Sequence, residues 1–180
     1  MPRYFIPFAL LIATSVAASG AACSAPPVSG TSANSPAAPA ASASPGKPST
    51  PVHDGRPVEI TGNDTMKFSV TEIAAKPGEK LSVTLVNAGT TPKFSMGHNW
   101  VLVASGLDIQ PFLVAAAEAV TSDYVPAAQQ AQIIAATKLL GPKERDTVTF
   151  TAPTAPGRYE FLCTFPGHYQ VGMRGVLIVG

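Results

Sequence analysis

The chain contains few of the residues that build most catalytic, disulfide-linked or nucleic-acid-binding sites. Among its 180 residues are two cysteines and three histidines, and charged residues make up 13% of the total. The 12 lysines and arginines are scattered, so the basic patch interleaved with aromatics that nucleic-acid binding requires is missing. Cys23 and Cys163 lie in segments of different character, and we expect no disulfide between them. The nearly balanced charge and 46% apolar content indicate one compact domain with extensions.

The first 22 residues carry the pattern of an export signal. Arg3 precedes an uncharged stretch, and small residues at its end lead directly into Cys23. This order resembles a bacterial lipoprotein site, where the cysteine is acylated and becomes the mature N-terminus. Gly20 departs from that pattern, so cleavage at a nearby alanine or an uncleaved peptide anchor stays open. Each alternative places the remaining chain on the periplasmic or cell-surface side of the cytoplasmic membrane. We interpret residues 1–22 as a signal peptide or N-terminal anchor and Cys23 as the lipid attachment site.

Residues 23–57 form a segment of low complexity. From Ser24 to Pro57 the chain is almost wholly Ala, Ser, Pro, Gly and Thr, and it holds eight of the eighteen prolines. Such a segment buries too little apolar surface to offset the entropy lost on ordering. We predict a disordered linker, which either gives a tethered domain its reach or serves as a passive spacer.

From Val58 onward, the pattern changes to short segments of alternating apolar residues bounded by Gly, Pro, Asn and Asp. This pattern predicts the strands of a β-sandwich or barrel in a domain that spans residues 58–180. In one strand, Leu81, Val83 and Leu85 share a face, so that face is expected to be buried. The predicted strands are Val58–Thr61, Met66–Ile73, Lys80–Asn87, His98–Ala104, Asp146–Ala152, Arg158–Thr164 and Gly175–Val179.

The stretch from Gln110 to Leu140 differs, because its Ala-rich runs and long side chains favour helix. Pro126 interrupts the stretch, and a Gly-Pro pair at 141 and 142 ends it. We predict a helical insertion between strands. Its apolar run Phe112–Ala117 is expected to pack on the sandwich rather than to bind a membrane or a partner.

Near the C-terminus, a thiolate, an imidazole and a thioether follow one another at five-residue intervals: Cys163, His168 and Met173. A thiolate, two imidazoles and a weak thioether are the ligands of electron-transfer copper sites, and His98 is the candidate for the second imidazole. Pro166-Gly167 would turn the chain so that His168 faces back. Zinc is the competing metal, but structural zinc prefers four strong ligands and rarely uses a thioether.

Strand parity supports the convergence of two of these side chains. Cys163 would share a face with Tyr159 and Phe161, and His98 would share one with Trp100. Both candidate ligands would therefore lie at the ends of core-facing rows. Two adjacent strands would then present a thiolate and an imidazole at one end of the sandwich.

Four stretches closely resemble azurin, and the resemblance covers about residues 58 to 180. The spacing from His168 to Met173 is one residue longer than in azurin and is similar to that of auracyanin. The sequence is therefore identified as a member of the azurin/auracyanin-type cupredoxins, the blue copper proteins. Azurin's strand-linking disulfide has no counterpart here. The four stretches are Gly62–Met66, Met96–Leu102, Thr137–Gly141 and Cys163–His168.

The resemblance implies an eight-stranded, all-β Greek-key sandwich that holds one copper ion. His98, Cys163 and His168 would be its equatorial ligands, Met173 its axial ligand, and the backbone carbonyl of Gly97 a weak ligand on the opposite side. A second set of residues would surround the thiolate. In that set, Asn99 and the backbone N–H of Phe165 would donate hydrogen bonds, and Asn99 would join the two ligand loops through Thr164.

The resemblance also implies a docking surface around an exposed edge of His168, formed by Met96, Phe165, Pro166 and Gly167. A small apolar patch suits the weak, transient encounters of redox partners. The near-zero net charge argues against strong electrostatic steering.

Together these features predict a monomeric, membrane-tethered one-electron carrier that cycles Cu(I) and Cu(II) between redox proteins. The alternative is an extracytoplasmic protein that buffers or delivers copper with the same ligands. We expect no enzyme, because catalytic copper proteins need a second, open metal site. After His98 and His168, the one remaining histidine is His53 in the linker.

Overall fold

The computed structural model describes residues 54–180. The predicted signal, Cys23, His53 and nearly all of the predicted linker lie outside this range. Within it, no helix combines the length and the apolar character needed to cross a membrane.

The described part contains eight strands: β1 (Arg56–Gly62), β2 (Glu72–Ala75), β3 (Lys80–Asn87), β4 (Val101–Val103), β5 (Ile133–Ala136), β6 (Arg145–Thr151), β7 (Gly157–Leu162) and β8 (Arg174–Val179). Its helices are α1 (Lys93–Met96), α2 (Ile109–Glu118) and two 3₁₀ segments, Val120–Ser122 and Ala127–Gln132.

The strands form two sheets, with orders β1-β3-β6 and β2-β8-β7-β4-β5. Strands β1 and β3 are parallel, as are β2 and β8, and the other pairs are antiparallel. Alternation along β3 shows why the sheets pack: Leu81, Val83 and Leu85 are fully buried. On the opposite face, the hydroxyls of Ser82 and Thr84 form hydrogen bonds with threonines of β6. The predicted all-β sandwich is confirmed.

Two predicted boundaries near the N-terminal side are wrong. Strand β1 begins at Arg56, so residues 56 and 57 belong to the sheet rather than to the linker. The strand predicted over Met66–Ile73 is mostly an irregular segment with one isolated bridge, from Phe68 to Gly62, and continuous pairing begins at Glu72 in the strand Glu72–Ala75, beside β8. The reason lies in Met66, whose φ of 54° is left-handed and turns the chain away from an extended path.

The predicted helical insertion is correct for its first third alone. Helix α2 ends at Glu118, and after the 3₁₀ segments Ile133–Ala136 forms β5 at the edge of the larger sheet. Helix was predicted there because alanines favour it, but antiparallel pairing with β4 overrides that local preference.

Helix α2 packs on the sandwich as predicted. It begins at Asp108, whose side chain accepts a hydrogen bond from the Gln110 backbone N–H. Phe112 and Ala116 are fully buried. Phe112 packs in a cluster with β4 and β7 residues on the face of the larger sheet away from the main core. The insertion is thereby held beside the strands that lead to the predicted metal ligands.

Candidate metal centre

Three buried side chains converge at one end of the sandwich: His98, Cys163 and His168. The Nδ1 atoms of the two histidines are 3.2 Å apart, and the Cys163 sulfur is 3.4 Å from His168 Nδ1. Their candidate donor atoms all lie within 4.8 Å of one another. His98 and Cys163 are fully buried, and His168 is 3% exposed. The structure thus brings together residues that are 65 and 70 positions away from His98.

The sheet explains this convergence. Strands β4 and β7 are antiparallel neighbours, so the start of one lies beside the end of the other. His98 comes shortly before β4 and is held by two backbone hydrogen bonds with Leu140, of 3.1 and 2.7 Å. Cys163 comes directly after β7, and its N–H donates to the Met173 carbonyl at 3.0 Å. Paired backbone fixes both side chains before any metal binds.

The segment from Cys163 to Met173 folds into a compact turn structure. The His168 N–H donates to the Phe165 carbonyl at 3.1 Å, and the Met173 N–H donates to the His168 carbonyl at 3.0 Å. Gly167 has a φ of 88°, which glycine adopts without the penalty of a side chain. These bonds return Met173, fully buried, to the side of the cluster.

The end of the Met173 side chain and the His98 ring both lie beside Gly62. A Cβ atom placed on Gly62 would be 2.7 Å from the Met173 Cε and 3.4 Å from the His98 Cδ2. Gly62 therefore leaves space that both side chains need. Gly62 had no predicted role, since close approach depends on the fold.

Burial determines the charge state of the three side chains. It raises the pKa of the Cys163 thiol to about 12, against the opposing effect of hydrogen bonds from the backbone N–H groups of Asn99 and Phe165. Burial, with a smaller effect from His98, lowers the pKa of His168 to about 4. The pKa of His98 is also lowered by burial. Without a metal the cluster is a neutral thiol and two neutral imidazoles at pH 7, and a bound cation would stabilise the thiolate.

The donor set fits copper. A thiol and two neutral imidazoles in a buried site, with a thioether beside them, match the soft ligands that copper prefers. Among the described residues, the cluster includes no carboxylate or second cysteine, so zinc would lack a fourth strong ligand. These residues could therefore hold one copper ion.

Asn99 connects the two ligand-bearing segments. Its Oδ1 accepts from the Thr164 N–H at 2.8 Å, and its Nδ2 donates to the Thr164 hydroxyl at 2.7 Å. The same Nδ2 donates to the backbone carbonyl of Asp123 at 2.9 Å. Asp123 was missed by the sequence analysis, because a backbone acceptor leaves no signal in residue type.

Gly97, the predicted weak carbonyl ligand, directly precedes His98 and is buried. A Cβ atom there would lie 2.7 Å from the Lys93 carbonyl oxygen and 2.9 Å from the Leu139 side chain. No larger residue fits at this position without a shift of its neighbours.

The predicted docking residues lie on and near the ligand turn. The Phe165 ring contacts the His168 ring, with 4.7 Å between centroids. Pro166 and Gly167 are exposed, and Met96 is half-buried at the end of α1. Phe94 in the same short helix is 84% exposed. Phe94 was not among the predicted docking residues.

Comparison with known proteins identifies the family. The chain matches the family described as copper binding proteins, plastocyanin/azurin family, over residues 56–180. It is 39% identical over 124 residues to azurin of Pseudomonas aeruginosa, which covers 67% of this chain and 82% of that protein. The protein belongs to the plastocyanin/azurin family of copper-binding proteins, and copper is its cofactor. The predicted azurin/auracyanin-like cupredoxin is confirmed.

Two further relatives bear on function. The crystal structure of dithionite-reduced auracyanin from the photosynthetic bacterium Roseiflexus castenholzii matches with a TM-score of 0.59 and 38% identity, covering 71% of this chain and 99% of that one. Outer membrane protein H.8 of Neisseria gonorrhoeae is 39% identical over 111 residues, covering 61% of this chain and 60% of that protein.

Proposed function

We propose that this protein is a one-electron carrier with a single type 1 copper site. His98, Cys163 and His168 would hold the metal, Met173 would be the weak axial ligand, and the Gly97 carbonyl would lie opposite. The observation that carries the proposal is the buried cluster of one thiol and two imidazoles, whose donor atoms lie within 4.8 Å of one another. When bound, copper supplies the Cu(I)/Cu(II) couple.

The protein's contribution to electron transfer is a dry, rigid pocket. His98 is held by Leu140, and Cys163 by Met173, through backbone hydrogen bonds. If the ligands barely move when copper is oxidised, the reorganisation energy of each electron transfer is low. Burial excludes water from the ligands, and hydrogen bonds around the sulfur tune its electron density.

The exit for the electron would be the surface over His168, formed by Met96, Phe165, Pro166 and Gly167. Its partner would be a redox protein with an apolar contact face. A small contact area suits the brief encounters of redox partners. Met96→Arg would place a charge in this surface and should slow electron self-exchange between two copies. A self-exchange rate equal to that of the unmodified protein would exclude this surface as the exit.

The main test is spectroscopic. The Cu(II)-loaded chain should show an intense blue thiolate-to-copper absorption and a narrow copper hyperfine splitting in EPR, both lost reversibly with ascorbate. Cys163→Ser should remove the blue band. Met173→Leu should keep it and raise the reduction potential, because the axial ligand tunes the metal. Loss of copper binding in Met173→Leu would disprove the axial assignment.

Copper buffering or delivery is the second candidate, since it would use the same ligands. Retention separates the two functions. An electron carrier should keep its copper through repeated redox cycles in the presence of a competing chelator, whereas a delivery protein should lose it rapidly. The preformed ligand arrangement supports retention. A catalytic role has less support, because residues 54–180 contain no other cluster of histidine, cysteine or acidic side chains able to hold a metal.

We also propose that the chain is exported and tethered as a monomer to the membrane through residues 1–22 or a lipid on Cys23. The export-signal pattern supports this, and the relative named outer membrane protein H.8 is compatible with it. Mass spectrometry of the mature N-terminus distinguishes a lipid-modified cysteine from a peptide anchor and from a freely secreted form.

A further inference from the structure

We propose that Asp123 and Tyr124, in the turn after the 3₁₀ segment Val120–Ser122, are positioning residues for the loop that carries Cys163 and His168. Together they would hold both ligands in place from the outside, as one rigid element. The inference rests on the proposed electron-transfer function for its predicted redox effects. The effects predicted for the metal-free protein do not depend on that function.

The backbone at these two residues is unusual. Asp123 has a φ of 58° and Tyr124 a φ of 60°, so two consecutive residues other than glycine adopt the left-handed conformation. Bulky residues rarely adopt this conformation, and it persists where surrounding contacts enforce it, often at functional sites. Here the Tyr124 N–H donates to the Ala119 carbonyl at 2.9 Å, which anchors the turn to the C-terminal end of α2.

The carbonyl of Asp123 helps to position the part of the loop that carries Cys163. It accepts from the Nδ2 of Asn99, the buried amide that also bonds Thr164 in both directions. With both Nδ2 protons and the Oδ1 engaged, the amide of Asn99 has one orientation that satisfies all its partners. Thr164 follows Cys163 directly, so this orientation constrains the thiol.

The ring of Tyr124 helps to position the part of the loop that carries His168. It packs edge-to-face with the Phe165 ring, with 5.1 Å between centroids and an interplanar angle of 62°. Phe165 in turn lies 4.7 Å from the His168 ring. Tyr124 is half-buried and packs against the main core, so its ring is itself held. One turn therefore reaches both ligands, through Asn99 and Thr164 to Cys163 and through Phe165 to His168.

The first experiment uses the full-length chain without metal. Amide hydrogen exchange of Thr164 reports the bond to Asn99, and thiol labelling of Cys163, followed on its own peptide, reports opening of the loop. Tyr124→Ala should increase the exchange rate of Thr164 and the labelling rate of Cys163 by about threefold to tenfold, because loss of one aromatic contact changes an equilibrium by about that factor. Tyr124→Phe keeps the ring and should restore the original rates.

Two controls separate positioning from general destabilisation. Val120→Ala changes a side chain that is 58% exposed in the neighbouring 3₁₀ segment and should leave both rates unchanged. Exchange of the β3 amides measures global opening. If Tyr124→Ala accelerates β3 and Thr164 equally, or accelerates neither, the proposal is overturned. Should Tyr124→Ala not fold, Tyr124→Leu, which keeps apolar bulk without the ring edge, takes its place in the same comparison.

The second experiment uses the copper-loaded chain. Tyr124→Ala should shift the reduction potential and broaden the copper EPR signal, whereas Tyr124→Phe and Val120→Ala should match the unmodified protein. An unaltered potential and EPR signal in Tyr124→Ala would overturn the positioning role. Failure of the proposed function would instead appear in the unmodified protein, as copper that does not cycle, and the exchange experiment would stand independently of it.

Discussion

The sulfur of Cys163 and the Nδ1 of His168 lie 3.4 Å apart within one turn of the chain. Gly167, with its φ of 88°, and the hydrogen bond from the His168 N–H to the Phe165 carbonyl close that turn. The closeness of these two proposed ligands is therefore a local feature of the chain. The position of His98 opposite them is a product of sheet pairing.

Gly62→Ala should disturb the site without replacing a proposed ligand. The new methyl group would lie 2.7 Å from the Met173 Cε, so the Met173 side chain would have to shift. We expect a shifted visible spectrum of the copper-loaded protein and a loss of about 1–3 kcal/mol in the free energy of unfolding. Gly180→Ala adds the same group where no heavy atom lies within 4 Å and should change neither property. A normal spectrum and normal stability for Gly62→Ala would contradict the close packing described here.

Copper binding should release about one proton at pH 7. The thiol of Cys163 has a pKa raised to about 12 and is protonated in the metal-free protein, whereas His168, with a pKa of about 4, is already neutral. Apparent affinity should therefore rise about tenfold per pH unit near neutrality. Calorimetric titration with Cu(II) in two buffers of different ionisation enthalpy counts the protons. Cys163→Ser should release none, and a zero count for the unmodified chain would mean that the thiol is already ionised.

The metal-free protein should lose stability as the pH falls from about 6.5 to about 4. The pKa of His168 is lower in the folded state than its ordinary value of 6.5, so the unfolded chain binds the proton first. The free energy of unfolding then decreases by at most about 1.4 kcal/mol per pH unit for this group, and stability is fully present above pH 6.5. Guanidinium denaturation at several pH values measures the slope. His168→Gln should reduce the slope without abolishing it, because burial also lowers the pKa of His98, and equal stability at pH 7 and pH 4.5 would refute the assignment.

The single tryptophan should emit fluorescence typical of an apolar environment. Trp100 is fully buried, and its Nε1 has no hydrogen-bond partner among the described residues. Its ring packs 5.5 Å from Phe161 and 5.9 Å from Phe150, measured between centroids. We expect a strongly blue-shifted emission that acrylamide barely quenches and that moves to the red on unfolding. Emission like that of tryptophan in water would show that solvent reaches the indole.

Much of the sandwich could be predicted from residue pattern. Strand β3 was predicted with its observed bounds, because its alternating Leu81, Val83 and Leu85 mark a face that has to be buried. Strands β7 and β8 were placed within two residues of their ends for the same reason.

The errors lie where local preference and tertiary pairing disagree. Strand β5 is a four-residue strand of two isoleucines and two alanines, and only its partner β4, 30 residues earlier, makes it a strand. The left-handed conformation of Met66, in a turn closed by its N–H donating to the Asn63 carbonyl, likewise interrupts the predicted strand at its first residue. Alternation of apolar residues does not reveal such a turn, and the strand character of β5 depends on non-local hydrogen bonds.

The chemistry of the site could be predicted from residue order: the spacing of Cys163, His168 and Met173, together with His98, indicates a copper-type donor set, since ligand type and loop length are local properties. How these ligands are held depends on the fold. The antiparallel pairing of β4 and β7 placed His98 beside Cys163, and close packing made Gly62 a neighbour of Met173. The left-handed turn at Asp123 reached Asn99 through a backbone carbonyl, a contact that depends on three-dimensional position and not on residue type.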